Sequence, residues 1–106
     1  MRCISASRAL YLGVARDYVH DRDSFKGESG LARVVMPKYV ATNNAVRAVD
    51  YCMEVVGAHG MLKKFPMERH YRDVRAGVNH PLSNARAREL LGKVALGIGL
   101  AETPRW

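Results

Sequence analysis

Apolar residues recur along this chain at intervals of three and four, the spacing of helices that bury one face. This pattern predicts long helices over residues 4–20, 31–56 and 82–98. A short helix over residues 67–76 is also predicted, because Pro66 suits the start of a helix. No segment alternates as a strand does. We therefore predict an all-α protein, an antiparallel helical bundle of about four helices with short connections.

Helix boundaries are predicted from glycine, proline and capping residues. Residues 21–30 have no period and form a connection, with Ser29 as a candidate N-cap of the second helix. Pro37 leaves two alternatives, because proline lacks a backbone N–H and crowds the preceding turn: the second helix is kinked there or begins there. Residues 57–60, Gly-Ala-His-Gly, end that helix, since glycine suits a left-handed C-terminal cap. Gly77 is expected to end the third helix.

Composition and charge fit one globular helical domain over residues 1–106, with 48% hydrophobic residues and 25% charged residues. The net charge is +7, and much of the excess lies between residues 63 and 88. The basic residues there are Lys63, Lys64, Arg69, Arg72, Arg75, Arg86 and Arg88, against Glu68 and Asp73. Two interpretations remain open, a local anion site and a solvated helical face. We do not expect a nucleic-acid partner, because no recognition motif accompanies the charge.

Cysteine and histidine placement gives no sign of a metal site. Cys3 and Cys52 lack the spacing of a zinc site or a disulfide framework, so both are expected to be reduced thiols. The four histidines are His20, His59, His70 and His80, and none pairs with another ligand at a known zinc interval. We also find no signal peptide and no transmembrane segment, so a cytoplasmic location without a membrane partner is expected.

Three successive segments together resemble the C-terminal helical bundle of acyl-CoA dehydrogenases, mainly over residues 36–77. They are residues 36–42 (Met-Pro-Lys-Tyr-Val-Ala-Thr), residues 48–61 with the Gly-Ala-His-Gly turn, and residues 65–73 (Phe-Pro-Met-Glu-Arg-His-Tyr-Arg-Asp). In that family a long helix ends in a glycine-rich turn, and a short helix with the pattern Pro-x-Glu-Arg-x-x-Arg-Asp follows. The spacing here is similar throughout.

The resemblance implies FAD as a cofactor shared with another chain. In the family, the glutamine and glycines of the turn lie against FAD bound by the neighbouring subunit. The corresponding residues here are Glu54 in place of the glutamine, Gly57, Ala58 in place of the second glycine, His59 and Gly60. The resemblance adds Ser83, because the family commonly has a Glu-Gly-Thr motif before its last helix and Ser83 stands at the place of its threonine. A glutamate would repel a pyrophosphate, so Glu54 is the least regular of these contacts.

The resemblance also argues against activity of the isolated chain. The family's catalytic glutamate corresponds to Pro81, which cannot accept a proton, so we predict no catalytic residue. The family's N-terminal helical domain and β-domain have no counterpart in these residues. We expect the C-terminal part or small subunit of an FAD-dependent acyl-CoA dehydrogenase-like oxidoreductase.

We expect two kinds of partner for such a part: further copies in a homo-oligomer or a larger flavoprotein subunit, with acyl-CoA as the substrate at the shared site. A second interpretation is a non-catalytic helical dimerisation module derived from that family.

Overall fold

The computed structural model describes residues 2–103, and Met1 and residues 104–106 lie outside the described part. The described chain is mostly helical and contains no β-strand, which confirms the predicted fold class. Its α-helices are α1 (Arg2–His20), α2 (Gly27–Val56), α3 (Met67–Asp73), α4 (Ala76–Asn79) and α5 (Asn84–Ala95). Two 3₁₀ helices, Asp23–Phe25 and Gly57–Met61, flank α2.

Helix α2 is the centre of the fold, and α1 packs antiparallel against it. Near one end of the pair, the Asn44 amide donates to the Ser7 hydroxyl at 2.9 Å and to the Cys3 carbonyl at 3.2 Å. Near the other end, the Arg33 guanidinium donates to the Asp17 carboxylate at 3.1 Å. These contacts pair low residue numbers of α1 with high numbers of α2, which fixes the antiparallel register.

Helix α5 also runs antiparallel to α2. The amides of Asn43 and Asn84 bond reciprocally, at 3.0 Å and 2.8 Å. In the segment that follows α5, the Leu100 N–H donates to the Glu28 carboxylate at 3.0 Å. The helices thus form a flat body of 48 × 39 × 19 Å, so its smallest dimension equals about two helix diameters.

The beginning of α2 differs from the prediction. The helix starts at Gly27, so Ser29 lies inside its first turn and the prediction of an N-cap there is wrong. The preceding 3₁₀ helix folds back so closely that a Cβ at Gly30 would overlap the Phe25 carbonyl. Pro37 lies inside the continuous helix and is buried, which excludes a helix that begins at Pro37. Packing of its ring accompanies the lost backbone hydrogen bond.

The second half of the chain also differs in detail. The predicted helix over residues 67–76 is two short helices, α3 and α4, and Gly77 lies within α4 rather than ending α3. A Cβ at Gly77 would lie 3.0 Å from Thr42 Cγ2, so this glycine allows α4 to approach α2. Helix α5 covers residues 84–95, shorter than predicted, because Ser83 caps its N-terminus and Gly97 turns the chain with φ 68°.

The described residues bury few apolar side chains. The buried hydrophobic residues are Ala32, Val35 and Ala87, and no large side chain is fully buried. Apolar side chains of α1 and of both ends of α2 are exposed instead. Since exposed apolar patches mark interaction surfaces, this thin body is suited to packing against another polypeptide. None of the helices within residues 2–103 is long and apolar enough to cross a membrane.

Candidate functional site

The glycine turn at the end of α2 is the candidate site. Gly57 caps the helix with φ 71°, a conformation that favours glycine, and its N–H bonds to the Met53 carbonyl. This confirms the predicted helix end. A Cβ built on Gly57 would meet no atom within 4 Å. The turn is therefore open to a ligand on the side where a larger residue would place its side chain.

Exposure divides the residues predicted for this turn into two groups. Glu54, Gly57, Ala58 and His59 are exposed, whereas Gly60 is buried. A Cβ at Gly60 would lie 3.0 Å from Met53 Sδ and 3.3 Å from Val56 Cγ1. Gly60 thus folds the turn back onto α2, and the outer surface of the turn consists of the preceding residues.

Most arginines near the turn are already paired with carboxylates. Arg69 lies 3.3 Å from Asp73, and Arg72 lies 3.9 Å from the half-buried Glu68, both at i,i+4 spacing. Such pairs contribute about 0.2–0.5 kcal/mol each. They favour the interpretation of α3 as a solvated helical face. The lysine or arginine closest in sequence to the turn is the exposed Lys63.

Arg75 attaches the α3–α4 segment to α2. Its guanidinium donates to the Asp50 carboxylate at 2.9 Å and to the Tyr71 carbonyl at 2.6 Å, and it stacks on the Tyr71 ring at 3.6 Å. Asp50 lies two turns before the end of α2, so this cluster fixes the short helices beside the glycine turn. The sequence pattern did not predict this contact.

A second polar cluster holds the loop before α5. The Lys38 ammonium donates to the carbonyls of His80 and Leu82, and the Asn43–Asn84 amide pair fixes the first residue of α5. The side chains of His80 and Pro81 remain exposed on this loop.

Ser83 does not share a site with the glycine turn within one chain. Its hydroxyl accepts from the Arg86 N–H at 3.5 Å and caps α5. Because Asn84 pairs with Asn43, Ser83 lies beside the middle of α2, which at 1.5 Å per residue is roughly 20 Å from Gly57. One phosphate group cannot contact both residues.

The family model described as "Acyl-CoA dehydrogenase, C-terminal domain" matches residues 2–85. This range covers α1 to the start of α5, including the glycine turn and both polar clusters. The chain belongs to the acyl-CoA dehydrogenase family. The match extends beyond residues 36–77, where the sequence motifs lie, because α1 and the α1–α2 connection are also part of this C-terminal domain.

Curated relatives of this acyl-CoA dehydrogenase domain carry several activities in their names. A Bacillus subtilis protein named as an acyl-CoA dehydrogenase is 46% identical over 44 residues, 42% of this chain and 12% of the relative. The amino sugar nitrososynthase of Streptomyces peucetius is 34% identical over 73 residues, 68% of this chain and 18% of the relative. The 3-(aryl)acrylate reductase of Clostridium sporogenes is 37% identical over 49 residues, 46% and 13% of the two chains.

The matched part is therefore a small fraction of each relative, between 12% and 18% of its length. No solved structure matches this chain significantly. Residues 2–103 contain no cluster of three or more His, Cys, Asp and Glu side chains suited to a metal ion.

Proposed function

We propose that this chain is the C-terminal helical part, or a small subunit, of an FAD-dependent acyl-CoA dehydrogenase-like oxidoreductase. In this proposal its glycine turn contributes to an FAD site on a neighbouring subunit. The observation that carries the proposal is the exposure of Gly57, Ala58 and His59 at the end of the longest helix. Bound FAD would supply hydride acceptance for oxidation of the CH–CH bond of an acyl-CoA.

The local chemistry of the turn fits a phosphate group with one exception. The open space at Gly57 lets an anion approach the backbone, as in other glycine-rich phosphate sites. The exposed Lys63 and Lys64 add positive charge after the turn. The exposed carboxylate of Glu54 opposes an anion at the same place. We assign the phosphate contacts to Gly57, Ala58 and His59. Gly60 determines the shape of the turn, and the carboxylate of Glu54 weakens binding of the phosphate.

The distribution of apolar surface supports a companion polypeptide. Large apolar side chains surround the turn and are exposed: Val55, Val56, Met61, Leu62 and Phe65. Val55 is 88% exposed, which is costly for an apolar side chain that nothing covers. A second copy in a homo-oligomer or a larger flavoprotein subunit would cover this surface and complete the site, with acyl-CoA bound at the junction. The glycine turn would then lie where two chains meet.

FAD titration tests this proposal. The purified chain is added to FAD alone, and then to FAD with a full-length relative such as the Bacillus subtilis protein, while flavin fluorescence is followed. We expect FAD to bind in the mixture. Gly57→Val should weaken this binding at least tenfold, because a side chain at residue 57 would occupy the open space. The proposal is overturned if the chain alone binds no flavin and the mixture binds no more flavin than the relative alone.

Two observations favour a second candidate function, a non-catalytic helical dimerisation module from the same family. Pro81 stands where the family's base is expected, and few apolar side chains are buried within one chain. Sedimentation of this module would give a dimer without cofactor. For either function we propose a cytoplasmic location, since both cysteines are free thiols.

A further inference from the structure

An apolar groove lies between the first turn of α1 and the last turns of α2. It has a volume of about 370 Å³ and is lined by Cys3, Ala48, Tyr51, Cys52, Val55 and Val56. Both cysteines of the chain therefore face the same groove, one from each helix. Both are half-buried free thiols. Their positions, 49 apart in sequence, give no hint of this proximity.

The antiparallel register directs the two thiols toward each other. Asn44 holds the Cys3 carbonyl at 3.2 Å, and Cys52 lies about two turns further along α2. Side chains on a helix tilt toward its N-terminus. The Cys3 side chain thus tilts toward the end of α2, and the Cys52 side chain tilts back toward Asn44. Ala48 lies between them on α2, and its small side chain leaves the space between the thiols unfilled.

We propose that Cys3 and Cys52 form a redox-active thiol pair, which a peroxide converts to a disulfide across this groove. Hydrogen peroxide first oxidises one thiol to a sulfenic acid and is reduced to water. The second thiol then attacks that sulfur, an S–S bond forms, and the sulfenic oxygen leaves as a second water. Two thiols lose two hydrogens and two electrons, and one peroxide gives two waters.

Closure of the groove favours this bond. A disulfide requires Cα atoms within about 7 Å of each other, so in this proposal the bond forms when the first turn of α1 approaches the last turns of α2. That movement brings Tyr51 and Val55, which are exposed on the groove, into contact with α1. Burial of apolar surface is favourable, so it offsets part of the cost of this movement. The disulfide would also join the two longest helices, which constrains the unfolded chain.

Oxidation of the purified full-length chain tests the pair. The reduced protein is treated with stoichiometric hydrogen peroxide, remaining thiols are alkylated, and intact mass and peptide maps are recorded without reductant. We expect a monomer lighter by two hydrogens with Cys3 joined to Cys52, reversed by dithiothreitol. Its Tm should rise by roughly 10 °C, given the size of the closed loop. Cys3→Ser and Cys52→Ser should each prevent both changes.

A matched variant separates proximity in the folded state from random collision. Cys52→Ser combined with Val19→Cys keeps two thiols but places both on α1, 16 residues or roughly 24 Å apart. We expect this variant to form no internal disulfide under the same conditions. Three results would overturn the proposal: separate oxygen adducts on the cysteines without an internal disulfide, disulfides only between chains, or an internal disulfide that forms equally fast in the matched variant.

Discussion

Replacement of Glu54 by glutamine should strengthen FAD binding at the glycine turn. Glu54 lies three residues before Gly57, a rise of about 4.5 Å along α2, so its exposed carboxylate would lie roughly 6 Å from a phosphate at the turn. At that distance in water one pair of charges repels by about 0.7 kcal/mol, and a pyrophosphate carrying two charges doubles this value. Screening in 0.1 M salt reduces the sum to about 0.8 kcal/mol.

The expected result is therefore an approximately fourfold lower Kd for FAD in Glu54→Gln, since 1.4 kcal/mol corresponds to tenfold. Flavin fluorescence titration of the chain with the proposed companion subunit measures this Kd. In 1 M salt the Debye length falls to about 3 Å, so the difference between variant and wild type should nearly disappear.

Asp23→Asn is the matched control for Glu54→Gln. It removes the same charge from an exposed residue beyond the opposite end of α2, roughly 45 Å from the turn, and should leave the Kd unchanged. The electrostatic reasoning is refuted if Glu54→Gln binds FAD no more tightly than wild type in low salt, or if the control tightens binding equally.

Three further predictions concern stability. In urea denaturation, Arg75→Met should lower the free energy of unfolding by about 2 kcal/mol and Asp50→Asn by about 1 kcal/mol. The first loss is larger because Arg75→Met also removes the stacking on Tyr71. Losses near zero for both variants would exclude a stabilising role for this pair. The hydrogen bond and the charge of Lys93 hold the pKa of Glu89 below its ordinary value. The stabilisation from Glu89 is therefore complete above the unfolded-state pKa and is lost as pH falls through the lower folded-state pKa. Urea midpoints at stepped pH should fall less for Glu89→Gln over this window, and parallel curves would contradict the assignment. Gly30→Ala should lower the free energy of unfolding by more than about 3 kcal/mol in thermal unfolding, since its Cβ would overlap the Phe25 carbonyl. Gly13→Ala is the matched control and should be neutral or stabilising, because a Cβ there meets no atom. Equal effects of the two changes would contradict the close approach at Gly30.

Local sequence patterns predicted the parts of the fold that depend on local physics. Apolar spacing gave α1 and most of α2, and the glycine at residue 57 marked the helix end that the structure has. The starts of α2 and α5 differ from the prediction. The start of α2 depends on how the preceding loop folds against this helix, and the start of α5 depends on capping by Ser83. The division of α3 from α4 also lacked a local signal, since Gly77 serves close packing against Thr42.

Long-range polar contacts were beyond the reach of one sequence. The Asn43–Asn84 pair, the Lys38 contacts with the loop and the Asp50–Arg75 pair join residues 25 to 44 positions apart. No periodicity links such positions, because each pairing depends on how α2 packs against later helices. The family motifs indicated the glycine turn, but the distance of Ser83 from that turn follows only from the register of α5 on α2.

The position of a dinucleotide phosphate relative to the glycine turn tests the central claim most directly. A structure of this chain with the proposed companion subunit and FAD should place a phosphate oxygen about 3 Å from the backbone nitrogen of Ala58 or His59. It should also show the surrounding apolar side chains covered by the second chain. FAD bound in that complex with every phosphate oxygen beyond hydrogen-bonding distance of both nitrogens would contradict the account.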